Sequence, residues 1–314
     1  MNPYRNNDFF QFFATFFSRL FSLLSGEPLA SDEIQVFVLS CIAIACALLG
    51  PFLVLKRMTM LANSLSHTIL LGLAISFLLS RIFLGGDGQV PLGILLIGAS
   101  ASALLTALFT GSLTRLFRLQ EDASVGLVFT TLFSLGIVAV TIFTRDAHIG
   151  VEAVMGNADG LRSSDLSTAA FLAFGNAALV GLFFWPLQFS AFDRPAAKAM
   201  GMPCGFFHAL ILFLTAASCI GAFRAVGVLL VLSFLVGPYL IARLFSHRLG
   251  RLLILSAAIG CAASLFGVAL SRHLLTAYGL ALSTGGIVSA LLAFFYALAA
   301  CVKNLMRRRI CAEN

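Results

Sequence analysis

Gly50-Pro51-Phe52-Leu53-Val54-Leu55-Lys56-Arg57-Met58-Thr59-Met60-Leu61-Ala62-Asn63-Ser64-Leu65-Ser66-His67-Thr68-Ile69-Leu70-Leu71-Gly72 is the tail of one hydrophobic run, a two-residue basic stop, and a second run with Asn63 and His67 inside it. A bilayer core of ~30 Å takes roughly 20 helical residues to cross. Cutting the chain at every Asp, Glu, Lys and Arg leaves nine such windows: Ile34 to Leu55, Met58 to Ser80, Val90 to Thr114, Ala123 to Thr144, Leu166 to Phe192, Ala199 to Phe223, Ala225 to Ala242, Leu252 to Ser271 and Leu274 to Val302. Of the 314 residues 60% are hydrophobic and only 11% charged, which excludes a soluble domain. The runs are continuously apolar rather than alternating, which excludes an outer-membrane barrel and leaves helices, whose backbone hydrogen bonds close within each segment. The expected fold is therefore an all-α polytopic membrane protein with about nine spans. Windows six and seven are separated only by Arg224, so residues 199–242 read either as two short helices or as one broken helix.

Alternation of nine spans places thirteen of the twenty basic residues on one side, among them Lys56, Arg57, Arg115, Arg194, Arg243 and the Arg307-Arg308-Arg309 run. With its four acids that side nets +9, and the other nets −2. The positive-inside rule then predicts an external N-terminus and a cytoplasmic C-terminus. Residues 1–33 are expected to form an extramembrane or interfacial segment, 34–305 a single transmembrane domain, and 306–314 a basic cytoplasmic tail. The overall charge of +7 is a topology signal. No basic patch with interleaved aromatics suggests nucleic acid.

Phe9, Phe10, Phe12, Phe13, Phe16, Phe17 and Phe21 recur at helical spacing, with Gln11, Ser18 and Arg19 between them, which describes an interfacial helix. The run lacks a basic leading segment and is interrupted by Arg19, which argues against a cleaved signal peptide. The seven cysteines form no C-x-x-C pair and read as small buried apolar residues. The three lysines, Lys56, Lys198 and Lys303, never follow a glycine, so the chain has no phosphate-binding loop of its own. Catalytic motifs are equally absent, and no enzymatic role is expected.

Among the connections, Glu121 and Asp122 are explained as acids at a helix start. The stretch from Arg145 to Asp165 is a net-negative outer loop, in which Val154-Met155-Gly156-Asn157 is apolar enough to dip into the bilayer edge. On the cytoplasmic side, Phe192-Asp193-Arg194-Pro195-Ala196-Ala197-Lys198-Ala199-Met200-Gly201-Met202-Pro203 carries both start and stop signals for one short helix outside the membrane. Gly237-Pro238 removes one backbone hydrogen bond and permits a kink. Gly227 and Gly237 would allow another helix to approach.

Asn63 and His67 are four residues apart and share a helix face. A neutral imidazole nitrogen is a good ligand for divalent Zn, Mn or Fe, and an amide oxygen is a weaker, harder one. Two ligands make a weak site, which suits an ion that must leave again. The same pair would also serve as hydrogen-bonding glue between helices, and the residues alone leave both readings open.

These stretches resemble the permease subunits of ATP-binding-cassette importers for zinc, manganese and iron. That family carries Gly-x-Phe-Val-Val-Leu-Arg-Arg-Met followed by Leu-Gly-Asp-Ala-Leu-Ser-His. Here the matching segments are Gly50-Pro51-Phe52-Leu53-Val54-Leu55-Lys56-Arg57-Met58 and Leu61-Ala62-Asn63-Ser64-Leu65-Ser66-His67. Glu121-Asp122-Ala123, Ala225-Val226-Gly227-Val228-Leu229-Leu230-Val231 through Pro238 to Arg243, and Ser283-Thr284-Gly285 also match, so the resemblance covers about residues 34 to 305. It implies a type II permease architecture like that of the vitamin B12 importer, a dimer with the ion path at its interface, cytoplasmic ATPase subunits and an external metal-binding protein. The metal is transported rather than stably bound as a cofactor. Asp193, Ala196, Ala197 and Gly201 would belong to the helix that couples to the ATPase. His67 and Asn63 would line the ion path, along with Gly227, Gly237 and Pro238. Asn63 stands where the family has Asp, which suggests a heterodimer whose second permease keeps the carboxylate. A secondary transporter driven by an ion gradient is the alternative, although proton or sodium coupling would call for a buried acid.

Overall fold

A computed structural model describes residues 3–4, 9–23, 29–84, 92–144 and 158–312. Most of the acidic stretch from 145 to 165, including Val154 to Asn157, lies outside the described residues. The described residues form helices α1 (Phe9–Leu23), α2 (Ser31–Leu55), α3 (Thr59–Leu84), α4 (Leu92–Leu116), α5 (Glu121–Thr144), α6 (Ser163–Leu182), α7 (Phe184–Phe192), α8 (Arg194–Ala199), α9 (Cys204–Val226), α10 (Val228–Phe245), α11 (Leu249–Tyr278) and α12 (Thr284–Ala312). No strand occurs among them. Eight helices are long and apolar enough to cross a membrane on their described residues: α2, α3, α5, α6, α9, α10, α11 and α12. Helix α4, 25 residues long, occupies the remaining uncharged window.

Three junctions differ in detail from the uncharged windows; at the last, α11 runs through Arg272 to Tyr278 and α12 starts only at Thr284. The fifth window is not one helix: α6 ends at Leu182 and α7 starts at Phe184. Pro186 accounts for the break, because it has no amide to donate to Leu182 and its ring would clash inside a continuous helix, yet it fits the first turn of a new one. The sixth and seventh windows are two helices, and they part at Gly227 rather than Arg224. Gly227 has φ 82° and ψ 163°, a conformation essentially reserved for glycine.

Helix ends follow local chemistry. Asp193 caps α8, its Oδ1 accepting from the Ala196 amide at 2.9 Å. Gly201, at φ 74°, closes α8 with the paired bonds Gly201 N–H to Lys198 O and Met202 N–H to Ala197 O. The basic stop closes α2 in the same way, through Arg57 N–H to Val54 O and Met58 N–H to Leu53 O. Here the left-handed position at φ 58° is held by Arg57, a residue that tolerates it less well than glycine.

The chain groups into two compact units. The first comprises residues 1–51, 157–184 and 229–314. In it α11 packs on α12 and α1 packs on α11. Phe12 and Phe16 are buried while Phe10 and Phe17 are exposed, so α1 is amphipathic as its spacing predicts. Small residues set the helix approaches: a Cβ on Gly50 would lie 2.1 Å from Leu235 O, and one on Gly267 2.2 Å from the Val288 side chain. Gly237 is looser, with Leu292 at an ordinary 3.5 Å. Close approach in this unit therefore depends on glycines other than Gly237. Pro238 lies inside α10, which stays helical through it.

Buried charges fasten the start of α2. The Glu33 carboxylate, 1% exposed, accepts from Tyr4 Oη at 2.8 Å, Arg19 Nε at 2.5 Å and the Ala30 amide at 2.7 Å. Burial, and then the hydrogen bond to Glu33, push the Tyr4 phenol above its ordinary pKa. Asp32, 2% exposed, pairs with Arg272 of α11. Removing one member of a buried pair strands the other charge, at a cost of about 3–5 kcal/mol. Arg272→Ala is thus expected to lower the thermal midpoint of the full chain in detergent markedly, with Arg272→Lys recovering part of the loss.

The second unit comprises residues 52–156 and 185–228. Helix α3 packs against α4 and α5, and α9 against α3 and α4. Leu61, Leu65, Ala103, Val125 and Ala216 form a buried cluster. A polar seam joins α3 to α4: Ser102 Oγ donates to Thr68 O at 2.5 Å, and Thr106 Oγ1 to Thr68 Oγ1 at 2.8 Å. The backbones meet at Gly72 and Gly98, where a Cβ on Gly72 would sit 2.3 Å from Gly98 O. Gly72→Ala must push α3 and α4 apart. The expected cost is about 1–3 kcal/mol, read as a lower unfolding midpoint.

Candidate functional site

Asn63 and His67 lie in the second and third turns of α3, after the Lys56-Arg57 turn, as their spacing predicts. Both are half-buried. The His67 ring lies against Phe129 and Phe133 of α5, with centroids 5.5 Å away in each case. The two phenyl rings stack on each other at 5.7 Å and form one aromatic wall.

His67 Nδ1 is buried and has no hydrogen-bond partner. Ser64 Oγ on the same helix and Thr110 Oγ1 on α4 are also buried and unpartnered. Leaving a buried polar atom unpaired costs about 1–3 kcal/mol, so such groups call for an explanation. Helix glue is a poor one for His67, because that role requires the hydrogen bond that Nδ1 lacks. A ligand nitrogen held available is a better one. Among the described residues no group of three or more His, Cys, Asp or Glu could hold a metal ion, so α3 offers at most part of a coordination shell.

Helix α8 holds the other set of expected residues. Asp193 is its cap, Ala196 is half-buried, and Ala197 is fully buried within its own chain. Arg194, Lys198, Ala199 and Met200 form its exposed side. A docking partner would therefore meet these residues rather than Ala197. Gly201 has open space around it, and its requirement is the positive φ.

Two features were not visible in the sequence pattern. In the first unit a cavity of about 420 Å³ is lined by Asp32, Gln35, Asp159, Ser271, Arg272 and Thr284. Its wall is cross-linked: Gln35 Nε2 donates to Ala158 O, Asp159 Oδ1 and Thr284 Oγ1, and Thr284 Oγ1 donates to Asp159. In the second unit a cavity of about 140 Å³ lies between Lys56, Arg194 and His208. Burial, and then the positive charge of Arg194, push the Lys56 ammonium pKa down to about 8. No sequence signal indicates either cavity, since their residues come from three or more separate segments.

Residues 34–303 match the model of the ABC 3 transport family. A Chlamydia muridarum (strain MoPn / Nigg) protein named "Probable metal transport system membrane protein" is 39% identical over 297 residues, covering 94% of this chain and 93% of that protein. The manganese transport system membrane protein MntD of Bacillus subtilis (strain 168) is 32% identical over 239 residues, 72% of this chain and 78% of the relative. Among solved structures, PsaBC from Streptococcus pneumoniae in complex with Fab shares the fold, with a TM-score of 0.74 over 91% of this chain and 95% of that one at 23% identity. A family match that runs from the first span into the last, together with relatives aligned over nearly their whole length, shows that this chain belongs to the ABC 3 transport family.

Proposed function

We propose that this chain is the membrane-spanning permease of an ATP-binding-cassette importer that passes a divalent transition metal ion, manganese, zinc or iron, into the cytoplasm. The observation that carries this reading is His67 Nδ1, buried against an aromatic wall without a partner, on a family-matched helix. His67 supplies a borderline-soft nitrogen and Asn63 a neutral oxygen, a set weak enough to release its ion. Asn63 brings no charge, so a second permease supplies the missing carboxylate and the working assembly is a heterodimer. Separate cytoplasmic ATPase subunits dock on the exposed side of α8, and an external metal-binding protein delivers the ion. The excess of basic residues on one side puts the N-terminus outside and the C-terminus in the cytoplasm of a bacterial inner-membrane protein.

The test is uptake by the assembled complex in vesicles loaded with a metal-sensitive dye. Entry of manganese, zinc or iron is expected only with ATP and an intact ATPase. Entry driven by a proton or sodium gradient without ATP would identify a secondary transporter and overturn the proposal.

A further inference from the structure

The cavity of about 140 Å³ in the second unit gathers two cations and an imidazole without a matching acid. Lys56 comes from the turn after α2, Arg194 from the start of α8, and His208 from α9; Ser190, Ala191 and Cys204 complete the wall. The charges of Lys56, Arg194 and Arg115 all bear on His208. Asp193, the nearest acid in sequence, turns its carboxylate to the Ala196 amide. None of Lys56, Arg194 and His208 is in a salt bridge with any carboxylate among the described residues. Like charges repel one another, and half-buried Lys56 beside Arg194 calls for an anion. An arginine and a lysine converging on one small cavity match the oxygens of a phosphate.

The surroundings indicate where that phosphate comes from. Phe189 and Phe192 on α7 and Phe206 on α9, close in sequence to the residues that line the cavity, are exposed apolar side chains. Exposed rings beside a cationic pocket at a helix end suit a molecule with a charged head and apolar tails. Basic pockets between membrane helices on the cytoplasmic side are a known form of acidic-lipid recognition. We infer that Lys56, Arg194 and His208 form a binding site for the phosphate headgroup of an acidic phospholipid, whose acyl chains lie along the exposed aromatic side of α7 and α9. The site ties the turn after α2 to the start of α8, so its occupancy would hold the α8 docking helix in place. Placing it in the cytoplasmic leaflet rests on the orientation proposed above, but symmetric vesicles make the binding test independent of that orientation and of transport.

The chain has a single tryptophan, Trp185 at the start of α7, and it is exposed. The full chain is placed in phosphatidylcholine vesicles containing a minor fraction of phosphatidylglycerol, with either lipid brominated in turn, and Trp185 emission is read. Brominated phosphatidylglycerol is expected to quench more than the same fraction of brominated phosphatidylcholine. Lys56→Gln with Arg194→Gln should remove that excess while leaving the unquenched emission and the detergent elution volume unchanged. Inorganic phosphate at millimolar concentration should not reproduce the effect. Equal quenching by the two lipids would overturn the inference. So would inorganic phosphate protecting the chain with no lipid preference, which would mean a free-anion site. If the double variant keeps its phosphatidylglycerol excess, the two side chains do not hold the headgroup and the lipid assignment fails.

Discussion

His67→Ala is expected to abolish metal uptake while leaving the permease assembled. The imidazole sits in the third turn of α3 against Phe129 and Phe133, and Nδ1 makes no bond within the chain. Removing it deletes no hydrogen bond from that atom, so the fold should lose little beyond the ring's packing. Transport should fall by at least about tenfold, because loss of even an outer-shell partner at a metal site costs 10–100-fold. Metal-dependent dye quenching in vesicles, alongside gel filtration of the complex, separates the two effects. Wild-type uptake in the variant would remove His67 from the path. Asn63→Asp on the same face adds a hard anionic oxygen and should slow ion release, giving tighter equilibrium binding with slower turnover.

The second large effect is expected at α8. Ala197 is buried in its own chain, so a charge there would damage the helix itself and could not report on docking. Lys198 and the C-cap residue Met200 are exposed, at the end of a six-residue helix that starts at the Asp193 cap and closes before Gly201. Lys198→Glu combined with Met200→Glu reverses the charge and polarity of that surface while keeping the Asp193 side-chain cap and Gly201, and the bonds at the C-cap Met200 use its backbone amide, which the substitution retains. The co-purifying ATPase should drop by about tenfold or more, as loss of a central interface contact of 2 kcal/mol would give. ATP-driven uptake should fall with it, while the permease itself remains folded by thermal midpoint. An unchanged ATPase yield would move the docking surface elsewhere.

Much of the architecture was legible because its causes are local. Continuous apolar runs in a low-dielectric solvent permit only helices, so the spans followed from composition. Asp193, Pro195 and Gly201 each act within four residues of themselves, and α8 has the start and stop they prescribe. Asn63 and His67 share a face of α3 because helical geometry requires it. Boundaries were less legible where two local effects competed. Arg224 looked like the junction because it is charged, but the backbone breaks at Gly227, where only glycine adopts the required angles. Pro186 lies within an uncharged window and nevertheless splits it.

From the sequence alone come the membrane-spanning helices, the basic stop at Lys56-Arg57 and the polar pair behind it. Tertiary structure decided which side chains meet. It placed Phe129 and Phe133 around His67, paired Asp32 with Arg272 across 240 positions, and gathered Lys56, Arg194 and His208 around one cavity. The physical reason is that lipid is as apolar as the side chains facing it, so hydropathy separates membrane from water but does not tell one helix partner from another. That choice is made by close backbone approach at Gly50, Gly72 and Gly267, and by buried polar groups finding or lacking a partner.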